Sequence, residues 1–366
     1  MPERNIMFIE VKSWLCAPCA RGKLWAELWI DAIKNAAITN DDYIFLKHNS
    51  SIAVDIKDHR DYAKKYIKNY KLDINYNVIN DRFARHILYL QKCYNKISQH
   101  VSKSLYKWDF PFIMWWDHST AWWTIAWITR QYPEKRLWVV RIDAHADIHS
   151  PYTTPSGNMH GMPLACALWL WSKEAKDIQN SLAQKWAHGT YNSLSKKEIK
   201  QRDKLSHSGW KFPMIQKEDI VYIGIRDIEP EEKDYINHYI KYFSWDYIQK
   251  NGIKDIIKKT LKHLNNCDII YVSFDIDSID GRIVHGTGTP VKDGISEYQA
   301  IQLLKELYAS EKVVCMEIVE VNPLLDDDIG NVIDGKGNSK LSSFETRNGT
   351  AEIAYHIIKE TIENFS

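Results

Sequence analysis

Apolar runs of strand length recur along the chain, separated by longer stretches in which apolar positions return with helical spacing. The runs are Phe110–Trp116 (FPFIMWW), Leu137–Ile142 (LWVVRI), Asp219–Ile225 (DIVYIGI), Asp268–Phe274 (DIIYVSF) and Val313–Val321 (VVCMEIVEV). Near-continuous Val, Ile and Phe mark strands buried on both faces, as in a parallel sheet. Helices are predicted between them over Ser119–Gln131, Asp255–Leu264 and Glu297–Tyr308, with Thr350–Asn364 closing the pattern. The alternation predicts a doubly wound α/β fold with helices on both faces of the sheet. Residues 170–216 are polar and rich in Lys, Ser and Gln, and 326–347 are rich in Asp, Gly, Asn and Ser. Both are expected to be surface insertions in a single domain spanning 1–366.

Three of the predicted strands run into polar residues of one chemical kind. Phe110–Trp116 leads into Asp117-His118-Ser119, Leu137–Ile142 into Asp143-Ala144-His145-Ala146-Asp147, and Asp268–Phe274 into Asp275-Ile276-Asp277. Ligands of parallel α/β sheets bind beyond the carboxyl ends of strands, so these clusters are expected to converge. In extended backbone, residues two apart point to one side. Asp143, His145 and Asp147 therefore offer three ligands together, Asp275 and Asp277 two more, and His118 a sixth. Four carboxylates and two imidazoles carry too much negative charge to bury without cations. Two divalent ions balance it where one does not, and an oxygen-rich set suits manganese. A lone Asp-x-Asp is usually a solvated loop or a cap, and a lone His a hydrogen-bonded residue. Three such clusters at three strand ends are not explained that way.

These motifs resemble the arginase–agmatinase–formimidoylglutamase, or ureohydrolase, family. The resemblance rests on Trp116–Ser119, Asp143–Asp147, Ser273–Asp280 (SFDIDSID) and Glu317–Pro323 (EIVEVNP). Pro151–Ala165 (PYTTPSGNMHGMPLA) and Gly286–Pro290 (GTGTP) are most similar to arginases. It implies a three-layer α/β/α fold around a mainly parallel sheet of about eight strands, two Mn2+ per chain, and a homotrimer or homohexamer. By the same resemblance His118, Asp143, His145, Asp147, Asp275 and Asp277 are metal ligands and His160 is the acid/base. Glu320 faces the guanidinium, while Ser156, Asn158 and Thr289 belong to the substrate shell. Glu229 stands where arginases have Asp, and His149 where they commonly have Asn.

The expected chemistry is hydrolysis of L-arginine to urea and ornithine. Two divalent ions bring a shared water close to deprotonation at neutral pH. Glu320 would hold the guanidinium by charge-assisted hydrogen bonds. Asp277 would receive a proton, and His160, expected to titrate near neutrality, would pass one to the leaving amine. Formimidoylglutamate or another guanidino acid is the alternative substrate. A metal-binding pseudoenzyme with a regulatory role is the alternative of another class, and retention of His160 and Glu320 beside all six ligands argues against it.

Composition narrows the class further. The chain has 366 residues, 45% hydrophobic and 26% charged, and its formal charge is only +1, so neither a nucleic-acid field nor an acidic tail is indicated. No apolar run approaches a membrane span, and the N-terminal stretch lacks the apolar core of a signal peptide, so the cytoplasm is the expected compartment. Of the six cysteines only Cys16 and Cys19 form a Cys-x-x-Cys, with no second pair to complete a zinc site.

One figure is anomalous: 15 tryptophans equal 15 glycines, whereas glycine alone averages about 7% of a chain. Trp29, Trp116, Trp122, Trp123, Trp127 and Trp138 fall where the family has glycine, and Trp115, Trp108, Trp169 and Trp210 are further candidates. Exchanging glycine for indole overpacks a core by about 1–3 kcal/mol per site. A gene that reads UGA as glycine, translated as if UGA meant tryptophan, would produce this imbalance; the alternative is true tryptophans in a divergent protein. Trp116 is therefore expected to be glycine in the protein that the organism makes.

Overall fold

The computed structural model describes residues 6–12, 52–55, 99–115, 117–170, 213–326 and 349–362, with single residues at 97 and 196. Eight strands form one sheet: β1 (Ile6–Lys12), β2 (Ile52–Asp55), β3 (Phe110–Met114), β4 (Leu137–Ile142), β5 (Ile220–Ile223), β6 (Lys241–Phe243), β7 (Ile269–Asp275) and β8 (Val313–Val319). Their order is β2-β1-β3-β8-β7-β4-β5-β6. Every neighbouring pair is parallel, as continuous apolar runs demand. The three-layer fold expected from the sequence is thus observed.

The four central strands, β3, β8, β7 and β4, are buried along their whole length. Edge strand β6 alternates from exposed to buried instead. Helices pack by their apolar stripes. In α6 (Ile253–His263), Ile253, Ile256, Ile257 and Thr260 are buried at i, i+3, i+4 and i+7. Helix α7 (Glu297–Ala309) starts at a capping box, in which Ser296 Oγ accepts from Gln299 N and Gln299 Oε1 accepts from Ser296 N. The other helices are α1 (99–106), α2 (Thr120–Gln131), α3 (Pro163–Ala167), α4 (Pro230–Tyr239), α5 (Trp245–Asn251) and α8 (Thr350–Ile362).

Boundaries shift where polar residues find local partners. The strand predicted to reach Trp116 ends at Met114, and Ser119 caps α2 instead of belonging to it. Asp219 lies in a single 3₁₀ turn before β5, its Oδ2 accepting from Gln216 N at 3.0 Å. The predicted insertions at 170–216 and 326–347 fall almost entirely outside the described residues, as do Cys16, Cys19, Trp29, Trp116 and Trp210. Among the described residues no helix is long and apolar enough to cross a membrane.

The tryptophans divide into two groups. Trp122, Trp123 and Trp138 are buried in helix or strand, and the first two pack ring on ring at 5.3 Å. Trp108 and Trp169 are different, with φ of 66° and 63°. Each follows a helix by the same bonding scheme. Trp108 N donates to Leu105 O and Asp109 N to Ser104 O; Trp169 N donates to Cys166 O and Leu170 N to Ala165 O. These are Schellman endings, and both tryptophans hold the left-handed position that glycine normally takes. Glu311 shows that a side chain is tolerated after α7, but two indoles in two such positions are what glycine-to-tryptophan exchange would leave.

Candidate metal centre

The site is built where the four central strands end level with one another. Ile142 pairs with Phe274 and Phe274 with Ile318, so β4, β7 and β8 deliver their next residues to one height. Asp143 follows β4, Asp275 ends β7, Glu320 follows β8, and His118 lies in the turn after β3. All four are buried. Gly224, at φ 95°, lets β5 end against this turn, where an added Cβ would already touch Asp143 O at 3.4 Å.

Asp143 divides the donors into two groups. Its Oδ2 is 3.2 Å from His118 Nδ1, which is also 2.8 Å from Asp275 Oδ2 and 3.5 Å from Asp147 Oδ2. Its Oδ1 faces His145 Nδ1 at 3.7 Å, and that nitrogen is 3.0 Å from Asp277 Oδ2. The sets His118, Asp143, Asp275 and Asp143, His145, Asp277 each gather their atoms within 4.8 Å. Two triads sharing one carboxylate, with the oxygen-rich chemistry of hard divalent ions, fit a bridged pair of cations. All six sequence-predicted ligands are brought together.

Backbone and neighbouring side chains hold these donors. His145 N donates to Asp143 Oδ1 at 2.7 Å and Asp277 N to Asp275 Oδ1 at 2.9 Å. His118 Nε2 meets Ser273 Oγ at 2.5 Å, and Ser273 Oγ donates to Glu317 Oε1 at 2.8 Å. That contact orients the ring so that Nδ1 faces the carboxylates. The Arg226 guanidinium donates to the carbonyls of Asp277, Ser278, Ile279 and Val291, tying the β5 loop to the turn after β7. Asp147 and Glu320 both hold positive φ, 50° and 63°, a conformation that persists in non-glycine residues where the surroundings enforce it.

Electrostatics agree with a site suited to cations. Burial pushes the carboxyls of Asp147, Asp275 and Glu320 well above the ordinary range, and carboxylate neighbours push them further. Burial also raises Asp143, but the Arg141 charge together with hydrogen bonds from His118 and His145 outweighs it and holds that carboxyl well below its usual value. His118 is lowered to about 3 by burial and by Arg141, leaving a neutral ring able to ligate.

A cavity of about 290 Å³ opens over the donors and is lined by His145, Asp147, His149, Ser156, His160, Glu229, Thr289 and Glu320, among others. Thr289 Oγ1 donates to Asp277 Oδ2 at 3.3 Å. Asn158 stands beside the lining, its N–H on Ser156 Oγ. His149 Nε2 lies 3.4 Å from Glu229 Oε2 and 3.7 Å from Glu232 Oε2. Glu229 and Glu232 also form the capping box of α4, with Pro230 opening the helix. His160 departs from the expected near-neutral titration: burial and the charge of His145 lower it to about 4.

Sequence reasoning passed over Asp117, Arg141, Glu232, Ser273 and Glu317, all buried at or beneath the site. Arg141 and Glu317 carried a signal, each a charge inside an apolar strand run. Asp117, raised to about 7 by burial, groups with His160 and Glu320.

Comparison with known proteins matches residues 42–361 to a family model described as "Arginase family". The chain is 34% identical over 212 residues to "Arginase, non-hepatic 1" of Xenopus laevis, covering 57% of this chain and 51% of the relative. It is 32% identical over 234 residues to "Arginase" of Staphylococcus aureus (strain MRSA252), covering 63% and 66%. The chain thus spans about half the length of the frog relative that it matches. Its fold is similar to the crystal structure of arginase from Bacillus cereus, with a TM-score of 0.68 at 23% identity and 98% coverage of both chains. It is also similar to formimidoylglutamase from Bacillus subtilis, with a TM-score of 0.60 at 17% identity, covering 98% of this chain and 86% of that one.

Proposed function

The chain belongs to the arginase family, and we propose that it is a cytoplasmic two-manganese hydrolase that converts L-arginine to urea and L-ornithine. The observation that carries this reading is the pair of donor triads sharing Asp143 on the floor of a cavity that Glu320 and His160 also line. His118, Asp143, Asp147 and Asp275 would hold one ion, and Asp143, His145 and Asp277 the other. When bound, the ion pair supplies Lewis-acid activation of water at neutral pH.

The chain's own residues do the rest. Glu320 anchors the guanidinium by paired charge-assisted hydrogen bonds, which restores the charge balance that burial withholds from its carboxylate. Asp277 accepts a proton as water attacks the guanidinium carbon. His160, neutral at rest because burial lowers it, takes up that proton and delivers it to the leaving amine. The amino-acid end of the substrate faces Ser156 and Asn158, with its ammonium toward Glu229, while Thr289 borders the site beside Asp277. One domain, 1–366, carries the whole site, and three or six copies assemble.

A second reading, another guanidino acid as substrate, is favoured by one observation: His149 already stands against Glu229 and Glu232, where a substrate ammonium would bind. Measuring kcat/KM for L-arginine, agmatine, formimidoylglutamate and 4-guanidinobutyrate side by side tests the assignment. Arginine is expected to lead, and a higher value for any of the other three overturns it.

A further inference from the structure

A charged residue in the middle of a fully buried central strand needs a reason. The Arg141 side chain is completely buried in β4, where Val or Ile would satisfy the core. Its Nε donates to Asp143 Oδ2 at 3.0 Å, and Nη2 lies 3.0 Å from that same oxygen while donating to Asp147 Oδ2. Those are the same oxygens that face His118 Nδ1. Nη1 has no hydrogen-bond partner among the described residues, so the guanidinium is not there to satisfy a network of its own.

The strand register explains how it is placed. Arg141 pairs with Ser273, and Ser273 with Glu317. These three side chains form a polar row across β4, β7 and β8, one pleat below the row that bears Asp143 and Asp275. Ser273 and Glu317 support His118 from beneath; Arg141 supports Asp143 and Asp147 in the same way. A guanidinium suits that position because it is weakly hydrated, always charged and shaped to engage carboxylates.

We propose that Arg141 is a positioning residue acting as the resident cation of the metal site: in the metal-free chain it balances and aims Asp143 and Asp147, and an incoming ion must share their Oδ2 atoms with it. The inference rests on the two-ion reading above. The fixed charge keeps the empty ligand set folded, and it weakens metal binding at the position that uses those oxygens. Removing one partner of a buried ion pair strongly destabilises the group left behind, and a metal ion can supply the missing charge.

The test compares the full-length protein with Arg141→Lys and Arg141→Met, each stripped with chelator and then titrated with Mn2+. Melting temperature and the calorimetric Kd for Mn2+ are measured for all three. Arg141→Met is expected to lower the metal-free Tm by roughly 5 °C or more. Saturating Mn2+ should recover most of that loss, and the Mn2+ Kd should tighten by about tenfold, as linkage between folding and binding requires. Arg141→Lys, which keeps the charge, should lie nearer the unaltered protein. If Arg141→Met folds only with Mn2+ present, the stand-in role is supported in its extreme form. Equal behaviour of the Lys and Met variants, no change in either, or an Arg141→Met chain that fails with and without Mn2+ while Arg141→Lys folds, overturns it. Failure of the unaltered protein to take up Mn2+ instead overturns the two-ion reading, and this inference with it.

Discussion

Glu320 reaches from the end of β8 to the turn after β3, where its Oε1 accepts the backbone N–H of His118 at 2.7 Å. One oxygen of the carboxylate proposed to face the guanidinium thus fixes the turn that carries His118, and Glu320, held at a φ of 63°, also lines the cavity. Glu320→Gln keeps an acceptor for His118 but removes the charge. It is expected to retain metal and to lose kcat/KM by roughly 10- to 100-fold, the worth of charge-assisted hydrogen bonds. Glu320→Ala should also lower metal content, because the His118 turn is released. Equal metal loss in both variants would separate Glu320 from the substrate role.

His149→Asn tests what the histidine does beside Glu229 and Glu232. Its removal frees both carboxylates for a substrate ammonium. The KM for arginine should fall, and that for 4-guanidinobutyrate, which has no ammonium, should not. A parallel change for both substrates would mean that His149 only shapes the loop.

Much of this architecture is legible in the sequence because burial writes itself into composition. Leu137–Ile142 is predicted and observed with the same ends, and the Asp-x-His-x-Asp and Asp-x-Asp spacings bring their ligands to one place. What escaped detection is what lacks local periodicity. Edge strand β6 is three residues long and only partly buried, and α4 before it and α5 after it lack strong apolar runs. Arg141 and Glu317 look like errors in a core strand until the register sets them beneath the ligands. The lowered value at His160 depends on burial and a neighbouring charge that the loop sequence does not reveal.

Backbone geometry sharpens the tryptophan question. Trp108 and Trp169 sit at positive φ in Schellman endings, a conformation that L side chains adopt at a cost of about 1–2 kcal/mol. Glycine is expected at both positions, as at Trp116, in protein isolated from the source organism. Peptide mass spectrometry over Phe110–Arg130 and across Trp108 and Trp169 reads this directly. Recombinant Trp108→Gly, at a residue 74% exposed, should gain about 1 kcal/mol in urea unfolding. Tryptophan masses with UGG codons at these positions would refute the recoding.

Ligand removal should follow the division of labour around Asp143. Asp143→Ala touches both triads and is expected to abolish retention of both ions. Asp147→Ala touches only the group at His118, so one ion should remain. Identical stoichiometry in the two variants would contradict the shared role of Asp143.

The most direct test of the account is to titrate Mn2+ into chelator-treated full-length protein, counting bound ions per chain by elemental analysis and following urea release from L-arginine in the same samples. Activity should appear only as occupancy rises from one ion toward two per chain. Full activity with a single ion bound would contradict the two-metal site.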